Sequence, residues 1–217
     1  VIITRMRAAD PRVPFLLQRG IPFVTFGRTD QDLDYAYVDV DNETIAHDAT
    51  RRLIAMGCRR IALQNLVMDD QFSTSRLRGY LRALDEAGLP VDMALVGHED
   101  FTIAASQNWV EHLLTLPNPP TGLICANELG LFGTLSALRQ RGLKPGPNMQ
   151  ILLRDNTRIC RYIASDLGAH VVDLAAIGQI IIAALVSQIE NPAGPKVREL
   201  IRADFEWWGQ SRPLDAQ

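Results

Sequence analysis

A short apolar run followed by a helical pattern, at residues 59–89, predicts the unit around which the chain is organised. Residues 61–63 are apolar and too few for a buried helix, so we interpret them as a central strand. Apolar side chains recur at helical spacing over residues 77–84, and Gly88 is placed to end that helix. Ligands of open α/β sheets bind beyond the carboxyl ends of the strands. The unit therefore places Arg76 at the mouth of such a crevice.

The same alternation of apolar runs and amphipathic stretches continues along most of the chain. Glycine or proline closes most of the helical stretches, as at Gly57 and Gly142. Strands that alternate with helices predict an α/β fold with parallel, doubly wound sheets. The predicted strands are residues 1–3, 21–26, an edge-like strand at 37–40, 61–63, 122–126, 151–153, and one or two strands within 197–208.

Polar side chains follow five of the predicted strands. They are Thr4 and Arg5, Arg28, Arg76, Asn127 and Asp155. Each has an ordinary structural explanation: Arg28 as a solvated loop charge, Arg76 as a surface ion-pair partner, and Asn127 or Asp155 as the cap of the next helix. Their shared position on the carboxyl side of the sheet favours a common binding crevice.

Composition and charge exclude several classes of protein. The chain has 217 residues, of which 47% are hydrophobic and 22% charged, which is enough for a full core and two lobes. Its net charge of −3 offers no basic face for contacts with a nucleic-acid backbone. We therefore expect any DNA contact to involve residues outside this chain.

Cysteine spacing, hydropathy and motif content narrow the possibilities further. Three cysteines without a CxxC spacing favour buried thiols in a reducing cytoplasm over a disulfide or a metal site. The longest strongly apolar stretch, residues 177–186, is shorter than the ~18 residues of a membrane-spanning helix, and no leader is recognised. No nucleophile motif, phosphate-binding glycine loop or metal-ligand spacing is present, so we expect neither an enzyme nor a bound cofactor or metal.

Several longer segments resemble the sensor core of the LacI/GalR transcriptional regulators, and together they span nearly the whole chain. They run over residues 21–28, 38–63, 76–89, 119–146 and 152–156. The most specific pieces are the helix-to-strand phrase at 53–63, the Arg-x-x-Gly-Tyr at 76–80, and the proline-led strand that ends in Ala126-Asn127. A generic α/β enzyme is not expected to carry all three in this order and spacing.

The resemblance implies a periplasmic-binding-protein-like fold, with two doubly wound parallel-sheet lobes joined by crossover strands. It assigns residues 1–58 and 171–203 to the N-terminal lobe, and residues 59–170 and 204–217 to the C-terminal lobe. The first lobe is expected to be incomplete at its N-terminus, because two βα units of the family, about 60 residues at ~30 per unit, are not recognised. The family's helix-turn-helix and hinge helix are not recognised either.

The effector-binding positions of the family can be carried over residue by residue. Arg76 matches the effector-clamping arginine, Asn127 a pocket amide, and Asp155 the pocket aspartate after the next strand. A guanidinium and a carboxylate can bond adjacent sugar hydroxyls, and an amide can serve as donor or acceptor. The resemblance therefore implies a sugar or a sugar-derived effector.

A second group of positions completes the predicted site. Arg28 matches a polar pocket position of the first lobe, and Phe101 matches an aromatic residue that stacks on the effector. Val172 stands at a crossover position that is often polar in the family. Thr4 and Arg5 join the set because they follow the first strand.

One departure from the family pattern bears on the kind of effector. Arg154 replaces an aromatic residue usual in the family and adds positive charge beside the predicted pocket. Together with Arg28 and Arg76, it suits a phosphorylated or acidic sugar better than a neutral one.

The implied function is that of the ligand-sensing and dimerisation core of a repressor-type regulator in the cytoplasm. Effector binding between the lobes would change their closure and so alter operator binding, through a domain not present in this chain. Apolar residues overfill one face of the helices at 43–56, 102–116 and 128–141, which predicts a homodimer; examples are Leu131, Phe132, Leu135 and Leu138. The alternative is a periplasmic sugar-binding receptor of a transport system, which a signal peptide in place of a helix-turn-helix would identify.

Overall fold

The chain folds into two α/β lobes, each built on its own sheet, as the sequence predicts. The computed structural model describes residues 1–66, 70–98, 100 and 102–209. The strands are β1 Ile2–Ile3, β2 Val24–Phe26, β3 Ala36–Val40, β4 Ile61–Asn65, β5 Val96–His98, β6 Gly122–Cys125, β7 Gln150–Asp155, β8 Leu167–Val171, β9 Arg198–Ile201 and β10 Asp204–Trp208. The α-helices are α1 Arg12–Gln18, α2 Asn42–Ala55, α3 Gln71–Glu86, α4 Ile103–Leu113, α5 Glu128–Gln140 and α6 Leu174–Glu190.

The first sheet is parallel throughout its described strands and has the order β1-β2-β3-β9. Helix α6 covers one face of it and shares a buried apolar cluster that includes Val24, Val38, Ile177 and Ile181. Strand β3, which the sequence suggested was edge-like, lies inside the sheet because β9 returns from the far end of the chain to pair with it. No helix in the described residues is long and apolar enough to cross a membrane.

The second sheet has the order β10-β8-β7-β6-β4-β5. Strands β4 to β8 run parallel, and β10 is an antiparallel edge strand. Trp207 and Trp208, adjacent on β10, pack against different apolar clusters on the two faces of this sheet. Core packing therefore accounts for this tryptophan pair.

The ends of the helices follow local signals in the sequence. The Asp41 side chain accepts a hydrogen bond from the Thr44 amide at 3.0 Å and so caps α2. Gly57, just beyond the end of α2, has φ +90°, a conformation that favours glycine. These two signals set α2 between the end of β3 and the start of β4.

Helix α2 packs against α3 so closely that a side chain at Gly79 would collide with it: a Cβ there would lie 2.0 Å from the Glu43 carbonyl oxygen. Ala49 and Leu53 of α2 also share a buried cluster with β4. The sequence prediction kept residues 1–58 together in the first lobe, but this packing places α2 on the second sheet. We therefore propose a first lobe of residues 1–41 and 172–203, and a second lobe of residues 42–171 and 204–209.

The three cysteines are free and buried, as the sequence predicts. Burial raises the pKa of Cys58 and raises that of Cys125 to about 12. These thiols are therefore protonated and unreactive at neutral pH.

Candidate functional site

A cavity of about 300 Å³ lies between the two lobes, at the carboxyl ends of their strands. This volume is at the lower end of the range typical of small-molecule sites. The first lobe contributes Thr4, Arg5, Met6, Phe26, Gly27, Asp39 and Val40 to its wall, and the second lobe contributes Asn42, Gln71, Phe72, Arg76, Ala126, Asn127, Arg154 and Asn156.

Arg76 reaches the cavity from the second turn of α3 and is only 4% exposed. Its guanidinium carbon lies 5.6 Å from the centre of the Phe72 ring. Burial, together with the neighbouring positive charge of Arg154, lowers the pKa of Arg76 to about 9. Arg76 still carries its charge at neutral pH, and among the described residues its Nη1 has no hydrogen-bond partner. It is therefore a donor available to a ligand.

Asn127 lines the same cavity and also caps α5. Its Oδ1 accepts a hydrogen bond from the Gly130 amide at 2.9 Å. Capping uses the carbonyl oxygen of the side chain, which leaves the amide nitrogen to donate to a ligand.

Thr4 and Arg5 lie on the first-lobe wall, at the mouth of the cavity. The Nη2 atom of Arg5 is 3.2 Å from the Asp70 carboxylate, and the Gln71 amide donates to the Met6 carbonyl at 3.0 Å. Residues 5–6 of the first lobe thus contact residues 70–71 of the second. These contacts join the lobes on one side of the cavity.

Arg28 does not line the cavity, but it acts on a residue that does. Its Nε lies 3.4 Å from Oδ2 of Asp39, whose carboxylate is buried. Burial raises the pKa of Asp39 to about 6, although the positive charge of Arg28 opposes this shift. Arg28 therefore favours the charged form of the cavity carboxylate.

Asp155 lies outside the cavity wall and holds the loop that follows β7. It is fully buried; Oδ1 accepts from the amides of Thr157 and Arg158 at 2.8 Å each, and Oδ2 accepts from the Cys160 amide at 3.2 Å. Burial raises the pKa of Asp155, but hydrogen bonds from the loop amides outweigh it, so the pKa is lowered. The predicted pocket carboxylate is thus a loop anchor in this structure.

Val172, another predicted site residue, does not line the cavity. Val172 is 2% exposed and belongs to the apolar core of the first lobe. Phe101 lies outside the described residues.

Sequence reasoning missed several polar residues of the wall, above all Asp39 and Asn42. The Asn42 amide donates to the Val40 carbonyl at 2.9 Å, and its Oδ1 lies 3.5 Å from Nη1 of Arg154 in the second lobe. Asp39 was missed because an edge-like strand has solvated side chains, whereas β3 is a central strand whose end meets the cleft. The alternation of apolar and polar residues at 36–40 predicts a strand. It does not predict that this strand lies inside the sheet, with its end at the cleft.

Comparisons with known proteins agree with this architecture. The periplasmic binding protein-like domain family matches residues 37–206. The HTH-type transcriptional regulator AglR of Rhizobium meliloti is 40% identical over 157 residues, which cover 72% of this chain and 44% of AglR. The regulator RafR of Escherichia coli is 32% identical over 197 residues, covering 90% of this chain and 58% of RafR. The chain thus spans about half the length of these curated relatives.

Solved structures point to the same family. A LacI-family regulatory protein from Chloroflexus aggregans superposes with a TM-score of 0.83 at 31% identity, covering 93% of this chain and 75% of that one. The transcriptional regulator CelR in complex with cellobiose gives a TM-score of 0.84 at 26% identity, covering 95% of this chain and 64% of that one. The chain therefore belongs to the LacI/GalR family of transcriptional regulators, of which it carries the periplasmic binding protein-like domain.

Proposed function

We propose that this chain is the effector-sensing core of a repressor-type transcriptional regulator, and that the effector binds in the cavity between the lobes. The observation that carries the proposal is the composition of the cavity wall. Arg76, Asn127 and Arg154 of one lobe face Thr4 and Asp39 of the other across a space of about 300 Å³. Convergent donors and acceptors of this kind suit a small molecule with several hydroxyl groups.

The comparisons favour a sugar as the class of effector and a regulator as the class of protein. CelR is described as a complex with cellobiose, and the relatives AglR and RafR are described as transcriptional regulators. The alternative, a periplasmic receptor of a transport system, is less well supported. Such a receptor would be expected to match binding proteins of transport systems, whereas AglR and RafR are described as transcriptional regulators. Catalysis is not part of the proposed role.

The proposed mechanism couples the cavity to DNA through closure of the lobes. An effector that contacts both walls has a higher affinity for one degree of closure, so it shifts the population toward that state. We assign operator contacts to a part of the intact protein outside these 217 residues, and we place its action in the cytoplasm, where operator DNA is found.

A homodimer is the assembly that we propose for the intact protein. Phe132 and Leu135 of α5 are only partly buried, and with Ile163 they line an open groove on the second lobe. A groove of this kind can be covered by a second copy of the chain.

Titration calorimetry of the intact protein against a panel of mono- and disaccharides, sugar acids and sugar phosphates tests the proposed function. We expect saturable binding of at least one sugar. The same sugar should change the protein concentration at which an operator fragment is retarded. Absence of binding across the panel, or binding that leaves operator affinity unchanged, would contradict the proposal.

A further inference from the structure

The arginines around the cavity differ in whether the fold supplies them with a counter-charge. Arg5 pairs with Asp70 at 3.2 Å, and Arg28 pairs with Asp39 at 3.4 Å. Each of these cations is therefore neutralised locally by a carboxylate of the chain.

Arg154 is also offset by acidic neighbours, although more loosely. Burial lowers the pKa of Arg154, and the negative charges of Glu128 and Asp39 act in the opposite direction. Its only hydrogen bond among the described residues joins Nη1 to Asn42 at 3.5 Å, and its buried Nε has no partner there. One edge of this guanidinium is therefore open to a further acceptor.

Arg76 has the least compensation of the four. It is 4% exposed, and the charged group that acts on it among the described residues is another cation, Arg154. Its Nη1 has no hydrogen-bond partner in the same set of residues. Removing a charge from water without a partner is costly, and folded proteins normally supply one. Because Arg76 lines the cavity, a bound molecule can be that partner.

We propose that the effector carries a negatively charged group, a carboxylate or a phosphate, which binds against Arg76 and the open edge of Arg154. The inference rests on the proposed function and narrows its ligand class from sugars in general to acidic or phosphorylated sugars. A guanidinium donates two parallel hydrogen bonds to either group, and the negative charge offsets the buried cation, which neutral sugar hydroxyls do not do. The hydroxyl groups of the same ligand then face the amides of Asn42 and Asn127 and the carboxylate of Asp39.

The test compares matched ligands on the intact protein at constant ionic strength. Calorimetric titrations would use glucose, glucose 6-phosphate and glucuronate, the corresponding galactose series, and inorganic phosphate and sulfate. We expect at least one acidic or phosphorylated sugar to bind at least tenfold more tightly than its neutral parent. Whether the tighter ligand is the sugar acid or the sugar phosphate distinguishes a carboxylate site from a phosphate site. Neutral sugars that bind as tightly as their acidic counterparts would overturn this inference and leave the proposed function standing. Binding of neither sugars nor anions would overturn both.

Three variants locate the anion and separate binding from folding. Arg76→Met and Arg154→Met should each reduce the preference for the charged ligand at least tenfold, while Arg82→Met, on the outer face of α3 beside Glu43, should not change it. Arg76→Met should also raise the midpoint of thermal unfolding without ligand, because it removes a buried, uncompensated charge. Unchanged anion binding in both cavity variants would overturn the inference. So would a lower midpoint in Arg76→Met, because it would mean that Arg76 is satisfied within the fold.

Discussion

Asp10 holds the segment of the first-lobe wall that carries Thr4 and Arg5. It is fully buried and accepts hydrogen bonds from the Arg7 amide and from the Arg12 side chain. The Nη2 atom of Arg12 also donates to the carbonyl oxygens of Thr4 and Arg5, at 3.2 and 2.9 Å. The shape of the segment that carries Thr4 and Arg5 therefore depends on one carboxylate.

Replacement of Asp10 should destabilise the fold in a way that depends on pH. The hydrogen bond from Arg12 lowers the pKa of Asp10 to about 2, whereas an unfolded chain has its usual value near 3.9. The stabilisation is therefore complete above about pH 4 and is lost as the pH falls toward 2. We expect Asp10→Asn to cost roughly 2 kcal/mol at pH 7 and progressively less below pH 4, measured by urea denaturation. Asp34→Asn, which removes an exposed ion pair with Arg198, should cost less than about 1 kcal/mol. Equal losses at pH 7 and pH 2.5 for Asp10→Asn would contradict this account.

Single residues also show where sequence reasoning about the site succeeds and where it stops. Arg76 and Asn127 follow their strands in sequence, and both line the cavity. Asp155 follows its strand as well, but its carboxylate accepts hydrogen bonds from three backbone amides of the loop that follows. The sequence indicates that a polar group stands at the edge of a sheet, but the direction of its side chain depends on the path of the loop after it. That path is set by the contacts of the loop, which no local pattern contains.

At the scale of elements, the glycine of the Arg-x-x-Gly-Tyr motif has a packing role. Gly79 lets α3 approach α2, because a Cβ at this position would lie 2.0 Å from the Glu43 carbonyl oxygen and 3.0 Å from the His47 amide nitrogen. Gly178 on α6 is also helical, but an added Cβ there would meet nothing within 4 Å. The two positions form a matched pair for substitution.

Alanine should have opposite effects at these two glycines. Gly79→Ala forces the helices apart and should destabilise the fold by about 1–3 kcal/mol or more. Gly178→Ala should stabilise it by about 0.5–1 kcal/mol, because alanine favours the helix and meets no obstacle. Thermal or denaturant unfolding of both variants checks this. A neutral or stabilising Gly79→Ala would mean that α2 and α3 are not in close contact.

The elements themselves were largely predictable, but the lobe to which one of them belongs was not. Alternation of apolar runs and amphipathic stretches indicated parallel α/β sheets, and capping residues such as Asp41 and Gly57 marked the ends of α2. The apolar stripe of α2 shows that one face is buried, but not which sheet covers it. The contact of α2 with α3 decides which sheet covers this face. That contact depends on Gly79, which lies 24 positions beyond the end of α2 at Ala55.

At the scale of the whole molecule, α5 offers a surface for self-association. The sequence predicted a dimer from the apolar faces of three helices, this one included, but Leu131 and Leu138 are fully buried in the core of the second lobe. Phe132 and Leu135 remain partly exposed at the groove with Ile163. The surplus apolar surface is therefore smaller than the sequence suggested, and it is concentrated at this groove.

Sedimentation of the intact protein tests the proposed homodimer. We expect a dimer at micromolar concentration, and Phe132→Asp should shift it toward the monomer because a charge would be buried at the interface. Val91→Asp, at a 49% exposed position away from the groove, should leave the association unchanged. A wild-type protein that sediments as a monomer would contradict the proposal.

The measurement that tests the central claim most directly is calorimetric titration of the intact protein and two arginine variants with the same effector. Arg76 lines the interlobe cavity, whereas Arg78, two residues further along α3, is exposed and pairs with Glu43 at 3.3 Å. A charged hydrogen bond to a ligand contributes about 1.5–3 kcal/mol, so Arg76→Ala should weaken binding roughly ten- to a hundredfold. Arg78→Ala should bind as the wild type does. Equal affinity of the wild type and Arg76→Ala would contradict the claim that the effector binds between the lobes against Arg76.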